Sequence, residues 1–451
     1  MALSHDFTKG NLFKSMIFYS WPIFLSNLLQ VSFQIIDSYW VGNLLGSREV
    51  GSISISSTVI FAVLSFIIGI NGAALTVLSQ QKGADDAEGL TKSVNAFVTL
   101  LGCLAILLGI IGFFSSQWLL QLLGTPKSVM PMAVNYLQIN FAGILFLFGY
   151  NFISTILRAM GDSKTPVQFV VIAVILNAIL DPLFISGFNM GLDGAAYATI
   201  FSQGAAFLYG VYHSVKTGKV PFEIPHWPER YYLKTVTALG LPAGLQMLLI
   251  SGGVAAIMSV VASFGEDVVA GFGVAQRMDS LIMLPAMTLG SAVNSMAGQN
   301  IGANKWDRVS LVARNGIYLI LSVTLLISAI VVAGASWFIS LFVKDAETIE
   351  FGAQYLRSIA FFYPFLGINF VLNGVVRASG AMVQVLILNL ISFWILRYPL
   401  TYLFAQWFGE RGIAYGMSVS FIISSVFAIL YYKLGKWKDI RILKQDKEKD
   451  A

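Results

Sequence analysis

The sequence predicts an all-α integral membrane protein: twelve transmembrane helices in two six-helix lobes related by pseudo-two-fold symmetry along the membrane normal. Three observations predict it. Of 451 residues, 57% are hydrophobic and only 11% are charged, and the mean hydropathy of +0.75 lies outside the range of soluble domains. Apolar runs recur at lengths near the roughly 20 residues that cross a bilayer. The second half of the chain also repeats the first.

Apolar runs between charged or Gly/Pro punctuation place six spans near 15–40, 53–79, 94–116, 132–157, 165–187 and 194–215. Six more follow near 235–263, 269–297, 311–335, 351–376, 381–406 and 412–432. The expected organisation is an amino-terminal lobe (1–215), a cytoplasmic linker (216–233), a carboxy-terminal lobe (234–432) and a basic tail (433–451). Little chain remains outside the spans, so no water-soluble catalytic domain fits and an enzyme is not expected.

The repetition has a fixed register. "SQQKGADD" (Ser79 to Asp86) answers "GQNIGANK" (Gly298 to Lys305), and "LRAMG" (Leu157 to Gly161) answers "VRASG" (Val376 to Gly380), each pair 219 residues apart. Gly46 with Gly265 and Val50 with Val269 keep that offset, and Pro22 with Pro242 differs from it by one. Six spans per repeat is an even number, so both halves enter the membrane with the same polarity, and a cavity between duplicated lobes is the usual place for a transporter's substrate. Between them, "KTGKVPFEIPHWPERYYLK", with three prolines and mixed charge, reads as the linker.

Loop charge sets the orientation. One set of loops and ends holds Lys9, Lys14, Lys82, Lys92, Arg158, Lys164, Lys216, Lys219, Arg230, Lys234, Lys305, Arg308, Arg314, Arg377 and seven further cations after Tyr432. The other holds six: Arg48, Lys127, Arg277, Lys344, Arg357 and Arg411. Both termini are therefore expected in the cytoplasm of a prokaryotic cell, with the chain in its plasma membrane. The net charge of +5 is spread over loops and forms no basic stripe, so nucleic acid is not an expected partner. Cys103 is the one cysteine, and His5, His213 and His226 form no imidazole cluster. The polar amino end lacks a small-residue cleavage site, so the first span is expected to be retained.

Polar residues inside the spans carry the functional signal, because a charged side chain at bilayer centre costs about 2.5–3.5 kcal/mol on insertion scales. In the first span, Asn27, Gln30, Gln34 and Asp37 recur at helical spacing and share one face. In the fifth, Asn177 and Asp181 stand one turn apart, and Pro182 loosens the backbone hydrogen bonding just after them. Thr199 and Gln203 give the sixth span a polar patch. Single Asn, Gln and Thr residues in spans commonly serve as interhelical glue. Two carboxylates in a dry site do not readily both stay ionised, which makes Asp37 and Asp181 an acceptor for a proton or a cation. Oxygen chemistry alone does not choose between H⁺ and Na⁺.

The repeat supplies a control. Ala256 or Ile257 stands opposite Asp37, and Tyr398 opposite Asp181, so the second lobe lacks both acids. That asymmetry favours an ion-coupling site in the first lobe over a scaffold role. Asp279 and Arg397 are the intramembrane charges of the second lobe, expected to form a mutual or local ion pair. Arg158 and Arg377 read as interfacial anchors, and Pro22 and Pro242 as kink points. Phe33 and Tyr136 lie near the polar stripe and are candidates to line a cavity for flat cations through cation–π contact.

No G-x-x-x-x-G-K-[ST] loop occurs, so ATP is not bound by a P-loop and transport would run on an ion gradient. Across nearly the whole chain the sequence resembles the multidrug and toxic compound extrusion (MATE) transporters, and within them the DinF-like branch. The resemblance rests on the twelve-span duplication, Pro22 with Gln34 and Asp37, "SQQKGA" after span two, "LRAMGDSKTP" before span five and "LNAILDP" within it. It implies the MATE fold and a secondary antiporter that exports lipophilic organic cations, drugs and dyes, in exchange for H⁺ or Na⁺. It further implies that Asp37, Asn177, Asp181 and Thr199 form the cation site, serving as ligands if the ion is Na⁺, with Tyr136 and Asn151 as neighbours and no other cofactor. Spans seven and ten carry no acid in their cores, which resembles the DinF-type arrangement. The expected partners are cationic small molecules and the lipid bilayer, and a monomer is expected. A lipid-linked oligosaccharide flippase of the same architecture is the alternative, but a pyrophosphate substrate calls for a cationic cavity. A channel is disfavoured because nothing resembles a selectivity filter.

Overall fold

A computed structural model describes residues 5–443, and residues 1–4 and 444–451 lie outside that range, as do three of the seven cations assigned to the tail. Among the described residues the regular structure is entirely helical. The first half contains α1 (Leu12–Leu44), α2 (Ser47–Gly83), α3 (Ala87–Leu122), α4 (Met130–Ala142), α5 (Ile144–Ala159), α6 (Lys164–Pro182) and α7 (Gly191–Thr217). The second contains α8 (Arg230–Val261), α9 (Glu266–Gly302), α10 (Trp306–Ser340), α11 (Ala346–Ala360), α12 (Tyr363–Ala378), α13 (Met382–Leu390), α14 (Tyr398–Phe408) and α15 (Arg411–Leu434).

Among the described residues nine helical segments are long and apolar enough to cross a membrane, and eleven when each of two bent pairs counts as one span. The remaining long helix, α7, has 27 residues, and its Gly, Ser, Thr and Gln content makes it less apolar than the rest. With it the helical order follows the twelve predicted spans. Spans four and ten differ from the continuous helices read from sequence: α4 meets α5 at 49°, and α11 meets α12 at 54°. Gly143 breaks the first pair, while Pro364 near the start of α12 cannot continue the hydrogen bonding of α11. Two π-helical turns also interrupt spans, Leu183–Gly187 directly after Pro182 and Ile391–Arg397 directly before α14. Pro182 removes a backbone donor, which is the loosening its position predicts.

The chain separates into two compact units, Met1–Asp6 with Trp21–Leu241, and Phe7–Ser20 with Pro242–Ala451. Two of the three divisions fall beside a repeat proline, Pro22 inside α1 and Pro242 inside α8, and each helix runs on through its proline.

Within the first unit, Gly161 takes a positive φ of 83°, and its carbonyl accepts the His5 backbone N–H at 3.2 Å. A Cβ there would come within 2.2 Å of the His5 carbonyl oxygen, so the repeated glycine is a steric requirement. Lys219 from the segment between α7 and α8 pairs with Asp162 at 2.6 Å, while Asn95 exchanges two hydrogen bonds with the His226 backbone.

In the second unit, Gly380, the repeat partner of Gly161, has a φ of 95° and is covered by the side chain of Ile442. The Phe7–Gly10 segment is held by the repeated "GQNIGANK" region. Gln299 accepts the Phe7 N–H at 3.2 Å, Asn300 and Arg308 donate to the Phe7 carbonyl, and Lys305 donates to Thr8 at 2.9 Å. The motif recognised as a repeat is thus a docking station for backbone.

Candidate functional site

The two acids singled out in the first half are both buried. Asp37 on α1 is 7% exposed, and Asp181 and Asn177 on α6 are fully enclosed. Helical spacing sets Asn177 one turn before Asp181, and its amide donates to Asp181 Oδ1 at 3.0 Å. Asp37 Oδ1, Asn177 Oδ1 and Asp181 Oδ2 have no hydrogen-bond partner among the described residues. Buried polar oxygens are nearly always partnered, so an unpartnered set from two helices is chemically free to accept a proton or a cation.

The helices meet in a single apolar patch. Val41, one turn beyond Asp37, and Ile185, one turn beyond Asp181, pack in one cluster with Tyr136 of α4 and with Leu192, Ala195 and Ala196 of α7. Asp37 and Asp181 consequently lie close enough for their charges to interact, and the Tyr136 hydroxyl is within electrostatic reach of both. No lysine or arginine forms an ion pair with either acid among the described residues. The site therefore has two acids, one amide, one phenol and an apolar wall, with no built-in counter-charge.

The other candidates surround it less closely. Gln30 is half-buried and hydrogen-bonded to Tyr150 of α5, while Gln34 is exposed and Phe33 half-buried. Asn151 donates to the Leu147 carbonyl of its own helix at 2.8 Å, so that amide hydrogen bond stays within α5. Thr199 is half-buried on α7, the helix against which α6 packs. Arg158 and Arg377 stand in the last turns of α5 and α12, as the repeat predicts.

The second unit corrects one expectation. Asp279 and Arg397 do not pair. Asp279 on α9 accepts hydrogen bonds from two tyrosines, Tyr355 of α11 at 3.0 Å and Tyr363 of α12. Arg397 lies between the rings of Phe393 and Phe421, 3.8 and 4.7 Å from their centroids, and donates Nε–H to Ser420 Oγ at 3.3 Å. Sequence spacing gives no hint of the tyrosines on Asp279, which lie 76 and 84 residues away, whereas Phe393 stands one turn before Arg397 in the same π-helical segment. The only signal was the cost of leaving either charge alone.

Among the described residues no three His, Cys, Asp or Glu side chains gather into a metal cluster. The acids of the first unit instead offer carboxylate and amide oxygens, donors that suit a proton or a hard cation.

Comparison with known proteins gives a consistent result. The MatE family description matches twice, over residues 22–183 and again over 242–403. The probable multidrug resistance protein YpnP of Bacillus subtilis (strain 168) is 56% identical over 439 residues, covering 97% of this chain and 99% of that protein. A second protein of the same organism, the probable multidrug resistance protein YoeA, is 30% identical over 447 residues and covers 96% of each chain. Among solved structures, that of a mutant of the Vibrio cholerae MATE transporter VcmN superposes with a TM-score of 0.89 at 23% identity, over 93% of this chain and 96% of the other.

Proposed function

The chain belongs to the MatE family of multi-span membrane transporters, and from that premise we propose that it is a secondary active multidrug exporter that expels lipophilic organic cations in exchange for protons. The observation that carries this reading is the buried Asp37 and Asp181, each with an unpartnered oxygen and near enough for their charges to interact, with no cationic side chain paired to either among the described residues.

The mechanism follows from that deficit. With one carboxylate ionised, the site attracts a cationic substrate, and the Tyr136 ring adds an aromatic surface. Arrival of a proton removes the charge that held the substrate. Substrate and ion thus compete for one negative charge. An ion biases alternating access only by binding one state more tightly than the other, so the proton must favour the state that has released substrate. Sodium in place of the proton would use the same oxygens of Asp37, Asn177 and Asp181, with Thr199 as a further oxygen. The proposed orientation puts both termini in the cytoplasm, on the loop charges. A flippase for pyrophosphate-linked sugars finds no support, because the unneutralised charge in the first unit is negative.

Efflux of a cationic dye from proteoliposomes tests this, driven by a pH gradient alone or a Na⁺ gradient alone. The wild type is expected to respond to the pH gradient, and Asp37→Asn and Asp181→Asn to lose that response. Full transport in both variants would overturn the mechanism, and a response to Na⁺ alone would reassign the ion.

A further inference from the structure

The second unit holds a buried acid for which the mechanism above has no use. Asp279 is 8% exposed, and among the described residues no cation lies within ion-pair distance of it. Its hydrogen bonds span a break in the chain: Tyr355 stands before the 54° bend of span ten and Tyr363 after it. The bend does not need this acid. The matching span of the first unit bends by 49° with Ile60 where the repeat offset places Asp279. Ser328 Oγ also holds the freed Ala360 carbonyl at 2.5 Å, and Ser425 holds that of Phe365. An acid that is costly to bury and dispensable for the bend requires another reason to be there.

Tyr355 supplies one. Its hydroxyl has two acceptors in range, Asp279 Oδ2 at 3.0 Å and the Met417 thioether at 3.4 Å. Among the described residues Tyr363 has Asp279 Oδ1 as its one hydrogen-bond acceptor. An ionised carboxylate only accepts, so both phenols donate to it. Once Oδ2 takes a proton it becomes a donor, and the Tyr355 hydroxyl must receive that O–H while turning its own hydrogen elsewhere. Met417 is in place to accept it. Beyond Tyr355, Arg397 lies within electrostatic reach and shares a chain of bonds with the same helix, from Nε to Ser420 Oγ and from Ser420 to the Met417 carbonyl. The titratable or charged groups around Asp279 are therefore Tyr355 of α11, Tyr363 of α12 and, one residue further out, Arg397. From α10 and α15 no titratable side chain touches the carboxylate among the described residues.

We propose that Asp279 is a second proton-binding site, contained within the second unit, whose occupancy Tyr355 reads by moving its hydrogen bond from the carboxylate to Met417. A proton from water binds Oδ2, no covalent bond breaks, and the phenols keep their protons. While Asp279 is ionised, its charge and that of Arg397 offset each other across Tyr355. Protonation leaves the Arg397 charge with its aromatic neighbours alone, so the unit gains one net positive charge.

Infrared titration of the full-length protein in lipid nanodiscs, in the Asp37→Asn, Asp181→Asn background, tests the site without requiring transport. As pH falls, a protonated-carboxyl component should grow together with a shift in a tyrosine C–O band, and subtracting the Asp279→Asn titration, which retains all the other carboxyl groups, should isolate both as signals that the variant lacks. Met417→Leu removes the alternative acceptor and should move the titration to lower pH by about half a unit. Tyr355→Phe removes a donor to the carboxylate and should move it to higher pH. A difference spectrum against Asp279→Asn that shows no carboxyl component, or a component indifferent to both Met417→Leu and Tyr355→Phe, would overturn the proposal. Because the acids of the first unit are absent from the background, neither result depends on their coupling role.

Discussion

Asn177 donates its side-chain amide to Asp181 at 3.0 Å, which engages one carboxylate oxygen and leaves the other, together with the amide's own oxygen, without a partner. The pair is half-finished as a structural contact. A scaffold role would be served by closing the remaining oxygens onto a neighbouring donor. Leaving them open suits a group that must take up and release an ion.

Removing the Asn177 donor separates the two roles. Side-chain hydrogen bonds between residues one turn apart on a helix contribute about 0.2–0.5 kcal/mol, so Asn177→Ala should lower the thermal midpoint only slightly. Proton-driven dye efflux should nevertheless fall about tenfold or more, since the open oxygens lose their orientation. A midpoint that collapses while the efflux of the remaining folded protein stays normal would assign Asn177 to the scaffold.

Charge in the first unit should be interchangeable only in part. Asp181→Glu keeps a carboxylate but moves it one methylene further from Asn177 and Ile185, in a patch already filled by Tyr136 and Leu192. Efflux should persist at a reduced rate and respond to a pH gradient, whereas Asp181→Asn should not respond. Equal loss in both variants, with protein folded in each, would show that position rather than charge is being measured.

The glycines of the repeated loops give a stability contrast. At Gly161 a Cβ meets the His5 backbone carbonyl at 2.2 Å, while at Gly380 it meets the end of the Ile442 side chain at 2.6 Å. Both have positive φ, a conformation that costs an L-residue about 1–2 kcal/mol. Gly161→Ala should therefore destabilise more than Gly380→Ala, because backbone does not yield as a side chain does. Thermal unfolding followed by tryptophan fluorescence checks the order.

Outside the membrane, Asp162 and Lys219 predict a pH signature. Burial would raise the Asp162 carboxyl, but the hydrogen bonds of Lys219 and Thr165 and the Lys219 charge outweigh it and hold the group below its ordinary value of 3.8. A depressed folded-state value contributes stability above the unfolded one and loses it as pH falls through the folded one. The contribution should thus be intact at pH 7 and vanish only below about pH 4. Asp162→Asn should flatten this part of the acid-unfolding curve. Lys219→Met, which leaves a 3% exposed carboxylate without its counter-charge, should destabilise more at pH 7 than the double variant.

How far the sequence could be read depended on whether a contact is local. Asp37, Asn177 and Asp181 stand out because polar residues interrupt apolar runs, and Asn177 with Asp181 meet along one helix turn. The disruption after Pro182 follows from a missing backbone donor. The tyrosines on Asp279 and Phe421 beside Arg397 were beyond reach, since Tyr and Phe are ordinary in such spans and only packing brings them to the charges, whereas Phe393, one turn before Arg397, is a local neighbour. Pairing opposite charges was reasonable, but phenol donors and aromatic faces satisfied each charge separately. The bends at Gly143 and before Tyr363 were hidden because hydropathy is continuous across them.

The exchange of helix ends at the two prolines bears on how such a molecule came to exist. Residues 7–20, just before Pro22, fold with the carboxy-terminal half, and residues 230–241, preceding Pro242, fold with the amino-terminal half. A six-helix ancestor built on this plan would have had no seat of its own for its opening turns and would have lent them to a twin. Gene fusion would then have made permanent a swapped dimer, which is why severing the chain at residues 218–229 should yield two fragments that fold only in each other's company.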